Sequence, residues 1–221
     1  MVSAFVDAWH YFTGNFNEFL TLLQEHLFMV VIAELGAIVV AIPIAILAVQ
    51  NDRTKRVVMA VGNVSQTVPT LAVIALVYPL LGIGFNSAVF GIWLYALLPI
   101  LTNTVTGIED VDEGTVNAAR GMGMTDLEIL RKIQIPLALP VIFAGIRTSS
   151  VINVGTAYLA FFIGGGGLGV WVITGIQLFN TPQMLAGAIP GAILAITADL
   201  LFASIERYLG QDNDAQVGVA A

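Results

Sequence analysis

The chain has 221 residues, of which 57% are hydrophobic and 10% charged, where an ordinary soluble domain carries about 25% charge. Its formal net charge of −7 argues against a nucleic-acid partner, and the absence of cysteine excludes disulfides and thiolate metal sites. An all-α, polytopic membrane protein remains, in which the bilayer replaces a large water-excluding core. No basic region precedes the first apolar run, so a cleaved leader is not expected, and neither is an attached soluble domain.

Residues 1–24 mix Trp9, Tyr11, Phe12, Phe16 and Phe19 with Asp7, His10, Asn15, Asn17 and Glu18, which suits either an external helix lying at the membrane interface or a poorly ordered end. Neither His10 nor His26 has a second ligand at metal-binding spacing. Both read as surface groups, and no metal or cofactor is expected. The first span covers about 26–49 and contains Glu34, which lipid does not tolerate. Glu34 is either a pathway carboxylate or, the plainer reading, a snorkelling or hydrogen-bonded acid near the outer face.

After the basic turn of Arg53, Lys55 and Arg56, a second span covers about 57–81. Asn63, Ser65, Gln66 and Thr67 cluster there before Pro69. Such a cluster glues helices together or lines a translocation path. The third span, about 87–107, holds Trp93, Tyr95, Pro99, Asn103 and Thr104. A polar segment from Val111 to Pro140 follows. It suits two short helices: one with acids at its start, closed by Gly121 and Gly123, and one opened by a Thr125/Glu128 capping box. Glu128 can pair with Arg131 and Lys132, and Pro136 and Pro140 are expected to stop the second helix.

The fourth span runs from about 139 to 163. Arg147 can snorkel to the side of the polar segment, while Asn153, Thr156 and Tyr158 lie deeper. Gly164 to Gly169 form either an external turn or gate element, or a plain flexible loop. The segment 170–179 is too short to span and is placed as a re-entrant or interfacial helix. The last span, about 184–205, includes Pro190 and Asp199, and the tail 209–221 is expected to be disordered. Five spans with the amino terminus outside put all eight Lys and Arg on the cytoplasmic side.

One pattern in the polar segment is specific. Ala118, Ala119, Gly123, Ile133 and Pro136 fall at the intervals of the EAA loop of ABC importer permeases, whose pattern is Glu-Ala-Ala, three residues, Gly, nine residues, Ile-x-Leu-Pro. Asn117 stands for the Glu and Ile135 for the Leu. Ser65–Thr70, Leu97–Ile100, Ala144–Thr148 and Phe162–Gly169 resemble the osmoprotectant branch, which imports glycine betaine, carnitine or choline. The resemblance covers about 25–208, with the EAA-like loop within 108–140.

The resemblance implies the type I importer permease fold in the cell membrane. It also implies cytoplasmic ATPase subunits, an external substrate-binding protein, and a second permease copy or paralogue. The chain itself is not expected to be an enzyme, since it has no phosphate loop. Coupling to the ATPase falls on Glu113, Asn117, Ala118, Ala119, Arg120, Gly121, Gly123, Ile133 and Pro136. Path candidates are Asn63, Gln66, Thr67, Trp93, Tyr95, Asn103, Asn153, Thr156 and Tyr158. A quaternary ammonium would seek aromatic faces, for which Trp93, Tyr95, Tyr158 and Trp171 are candidates. The rival readings are a secondary transporter using Glu34 and Asp199, an importer permease for another solute such as an amino acid, and a structural assembly subunit.

Overall fold

A computed structural model describes the backbone of residues 2–218 and the side chains of residues 3–210. Among these the fold is helical throughout. Helix α1 (Val2–Gly14) leads into α2 (Phe16–Ala48), α3 (Asp52–Thr67), α4 (Thr70–Leu81) and α5 (Phe85–Glu109). The polar segment holds α6 (Glu113–Gly121) and α7 (Asp126–Ile129). A π turn (Leu130–Gln134), α8 (Ile135–Thr156) and a 3-10 segment (Ala157–Ile163) follow, then α9 (Gly169–Gln177) and α10 (Thr181–Gly218). The rest of the tail, 219–221, lies outside the described residues.

Four helical runs are long and apolar enough to cross a membrane: Phe16–Ala48, Phe85–Glu109, Asp126–Ile163 and Thr181–Gly210. The expected second span is not one straight helix. Helices α3 and α4 meet at 98° across a short break, the geometry of a broken span or a re-entrant loop. The cause is local. Pro69 disfavours helical dihedrals in the residue before it, and Val68 is extended at φ −83 and ψ 123.

The core is α2, α5 and α8. One face of α2 carries Ala33, Ala37, Ala41 and Ala45, all fully buried at steps of four. Small residues at helical spacing let backbones approach, and in lipid that contact drives helix association. Glycines do the same between α5 and α8: a Cβ on Gly145 would meet the Pro99 carbonyl at 2.9 Å, and one on Gly107 would meet Val141 Cβ at 2.9 Å. Helix α10 packs on α8 and α9, and α1 packs on α10. Helix α9, with nine residues, is about 14 Å long and too short to span; it carries the fully buried Trp171 into the packing between α2 and α10.

Prolines inside spans leave carbonyls without donors, and one such gap is filled visibly. Pro99 cannot donate to the Tyr95 carbonyl one turn back. Gln66 Nε2 of α3 donates to that oxygen at 2.9 Å. Replacing Gln66 by Leu leaves the carbonyl unpaired at a cost of about 1 kcal/mol. In a Pro99→Ala background, which restores the missing N–H, the same change is expected to cost less than half as much. A double-mutant cycle of unfolding in detergent checks this; equal costs in both backgrounds would refute the account.

Candidate functional site

The polar segment folds as two helices joined by a tight break. Asp112 caps α6 by accepting from Thr115 N–H at 2.7 Å. The helix ends at Gly121, and Gly123 turns the chain at φ +87, a conformation that L side chains rarely adopt. Helix α7 opens with the complete capping box of Thr125 and Glu128. Arg120 ties the two helices across the break through Asp126 at 3.1 Å. Glu128 pairs with Lys132 at 3.0 Å; no ion pair with Arg131 occurs among the described residues.

Pro136 and Pro140 do not stop the second helix. From Asp126 the chain runs helically to Ile163. The π turn explains this: the Ile135 N–H reaches back to Leu130 O, and Pro136 then enters in the first turn of α8, where an N–H is dispensable. Pro140 sits inside α8, as membrane helices permit when neighbours satisfy the freed carbonyl.

On this loop Glu113, Asn117, Ala118, Arg120, Gly121, Gly123 and Pro136 are exposed. Ala119 is buried against the bundle and Ile133 is half-buried. Met122 and Leu127 are strongly exposed, at 75% and 67%, although they are apolar and flank a polar turn. Neither is part of a helix-break signal in the sequence. Apolar knobs on a polar rim are what a docking surface presents. A polar cleft of about 490 Å³ lies behind the loop, with Gln50, Glu109, Arg120, Asp126 and Gln134 among its walls. Lys55 and Glu109 form an ion pair that binds the start of α3 to the end of α5.

Glu34 is a hydrogen-bonded acid, buried rather than snorkelling. It is 6% exposed, in the middle of α2. Its Oε2 accepts from Ser149 Oγ at 2.9 Å and from Asn153 Nδ2 at 2.5 Å, both on α8. Ser149 also lies 3.2 Å from the Ala96 carbonyl of α5. Asn153, a path candidate, is fully buried and serves as a partner of Glu34 inside the subunit. The polar groups thus join the three core helices at one point.

Arg147 is paired with two acids of α10. Its Nε and Nη2 form a fork on Asp199 of α10 at 2.6 and 3.0 Å, and its Nη1 donates to Glu206 at 3.3 Å. Glu206 lies seven positions after Asp199, two turns along one face. That spacing was visible in the sequence; the facing arginine was not.

The other path candidates are scattered. Asn63 and Thr67 are exposed on α3, and Thr67 bonds its own helix at the Val64 carbonyl. Asn103 and Thr156 likewise donate to carbonyls one turn back, Pro99 and Ile152. Gln66 and Tyr95 meet as described. Trp93 is half-buried, with Phe90 beside it at a centroid distance of 5.3 Å. Tyr158 donates to the Gly187 carbonyl at 2.9 Å and lies edge-on to His26. His26 is buried, not a surface group: α2 begins at Phe16, so His26 already lies inside the bundle, with Nε2 3.1 Å from the Val154 carbonyl. Trp171 has no open face and cannot meet a solute here.

The glycine-rich stretch is pinned in place. Gly167 N–H donates to Glu25 Oε2 at 2.9 Å. Gly164, Gly166 and Gly167 all have positive φ, and a Cβ on Gly166 would lie 2.1 Å from that same Glu25 oxygen. Positive φ at these positions favours glycine.

Comparison with known proteins agrees with this architecture. Residues 37–213 match the family described as "Binding-protein-dependent transport system inner membrane component". The chain is 42% identical over 193 residues to the glycine betaine/carnitine/choline transport system permease protein OpuCB of Bacillus subtilis, covering 87% of this chain and 89% of that one. It is 37% identical over 209 residues to the osmoprotectant import permease protein OsmW of Salmonella typhimurium, covering 92% and 97%. The fold matches an inward-facing structure of the MetNI methionine ABC transporter with a TM-score of 0.81, at 21% identity over 89% of this chain and 98% of that one. The chain therefore belongs to the binding-protein-dependent transport system inner membrane components, as a multi-pass permease subunit of an ABC importer.

Proposed function

We propose that this permease moves a small quaternary-ammonium osmoprotectant (glycine betaine, carnitine or choline) into the cell. The observation that carries the reading is the 42% identity, over 87% of the chain, to a permease of that substrate class. Two ATPase subunits on the cytoplasmic side supply the energy, and ATP hydrolysis resides in them. An external binding protein delivers the solute, and a second permease copy or paralogue completes the path. The amino terminus lies outside and the carboxyl end inside, because that orientation puts Arg53, Lys55, Arg56, Arg120, Arg131 and Lys132 in the cytoplasm.

The ATPase is taken to seat on α6 and the following turn. Ala118, Met122 and Leu127 offer apolar contacts there, with Glu113, Asn117 and Arg120 around them. Asn117 cannot form the ion pair that the usual glutamate would, so packing and hydrogen bonds carry this contact. A shift of α6 passes to α7 through Arg120–Asp126, and from α7 without interruption into α8.

The test is uptake of labelled glycine betaine, carnitine and choline by cells expressing the chain with its binding protein, with and without the ATPase. Uptake of at least one that requires the ATPase is expected. ATPase-dependent import of other solutes only would reject the substrate class. Uptake that survives loss of the ATPase but stops with an uncoupler would instead make the chain a secondary transporter.

A further inference from the structure

Arg147, Asp199 and Glu206 form a charged cluster between two candidate spans, α8 and α10. Arg147 lies twelve residues into α8, about 18 Å along it. Inside a span, charged groups almost always face the bundle interior or water. Yet their side chains stay 35%, 40% and 31% exposed. They open on a cleft of about 350 Å³ whose remaining wall is largely apolar, with Ala144, Val151 and Ile152. That volume is in the range of small-molecule sites, about 300–1,000 Å³.

The charges do not balance. One guanidinium faces two carboxylates, leaving one negative charge in excess. The partners are also unequal. Asp199 takes two short bonds in a fork, whereas Glu206 takes a single bond at 3.3 Å. Glu206 is thus the partner that a competing carboxylate displaces first. We propose that this cluster is a transit station for the solute, where a zwitterion exchanges partners with the Arg147–Glu206 pair. The solute's carboxylate takes the Arg147 Nη1 position, and the released Glu206 faces the quaternary ammonium. The methyl groups of the ammonium rest on the apolar wall. The solute gains its two contacts only by breaking the Arg147–Glu206 pair, so part of their strength is offset and the solute is held weakly enough to leave, as a path requires. A cation without a carboxylate cannot make this exchange and is attracted by the excess negative charge alone.

The inference rests on the quaternary-ammonium reading above and predicts opposite changes in selectivity. The complete transporter, reconstituted in proteoliposomes, is given labelled glycine betaine and labelled choline. Arg147→Gln/Asp199→Asn removes the guanidinium with its fork partner and keeps Glu206. The ratio of glycine betaine to choline uptake is expected to fall about tenfold. Glu206→Gln keeps the fork and removes the excess charge, so the ratio is expected to rise. A structural role for the cluster would lower both uptakes together. Ratios unchanged in both variants, or shifted in the same direction, overturn the proposal; if one variant does not assemble, the sign from the other decides. Where only one solute is carried, a betaine carrier loses uptake in the first variant and a choline carrier in the second. A wild-type complex that imports neither solute removes the quaternary-ammonium reading itself, whereas an active wild type with unresponsive ratios removes only this one.

Discussion

Replacing Gly123 by Val should uncouple the transporter, lowering ATP-driven uptake about tenfold or more while ATP hydrolysis stays within about twofold of wild type. Gly123 holds φ +87 with open space around its Cα. The penalty is therefore conformational rather than steric. A positive φ costs an L-residue about 1–2 kcal/mol, and a β-branched one more. The chain escapes that cost by returning to negative φ, which re-aims α7 relative to α6. The Arg120–Asp126 bridge and the Met124 N–H to Ala119 carbonyl bond, at 3.1 and 3.2 Å, both span the turn and would be lost. Asn tolerates the left-handed region, so Gly123→Asn should keep most of the uptake. Gly121→Ala meets nothing within 4 Å at an ordinary φ and should behave as wild type. Parallel uptake and ATPase assays on the assembled complex check all three. Wild-type uptake by the Val variant would show that the break does not set the angle between the loop helices.

Gly169→Ala is expected to cost the fold about 3 kcal/mol or more. A Cβ at this position would lie 2.2 Å from the Tyr158 carbonyl oxygen and 2.9 Å from its carbon. Both atoms are main chain, so no rotamer change makes room. Either α9 moves away from the 3-10 segment, or that segment moves. In the first case Trp171, two residues on and fully buried, loses its contacts with Phe19 and Tyr11. The melting midpoint in detergent, followed by tryptophan fluorescence, should fall by about 10 °C. Gly155→Ala is the contrasting case. That glycine is inside α8 with nothing within 4 Å of a new Cβ, and alanine there should be neutral or stabilising by up to about 1 kcal/mol. An equal loss at both positions would mean that close approach at Gly169 is not the cause.

Local chemistry was legible in the sequence wherever it decided the structure. The capping box at Thr125, the break at Gly123 and the existence of the first, third and last spans all depend on neighbouring residues, and all are present. What failed was local chemistry overridden at longer range. Pro136 and Pro140 were read as stops because a proline removes an N–H. A π turn upstream and packed neighbours removed the need for that donor. Pro69 was noticed inside a span, but composition alone does not distinguish a kink from a right-angled corner. His26 was assigned to the surface because it stood near the end of an apolar run, and the run proved to start ten residues earlier, at Phe16. Partners were the least legible feature. Ser149 and Asn153 lie four apart, and Asp199 and Glu206 seven apart, so each pair shares a helix face. Nothing in either spacing names Glu34 or Arg147 as the group opposite. That choice belongs to the packing of α8 against α2 and α10.

The corner between α3 and α4 also bears on the life of a single copy. Pro69 has no hydrogen to offer the carbonyl of Ser65, and the 98° turn carries the amides of Thr70 and Leu71 away from the carbonyls of Gln66 and Thr67. The hollow of the corner is greasy, about 500 Å³, with Val61, Val64 and Leu76 on its walls. Hydrocarbon would wet those side chains well and that main chain badly, at several kcal/mol for each unmet group. Placed in hydrocarbon, a lone subunit would thus carry a seam of main chain that lipid does not seal.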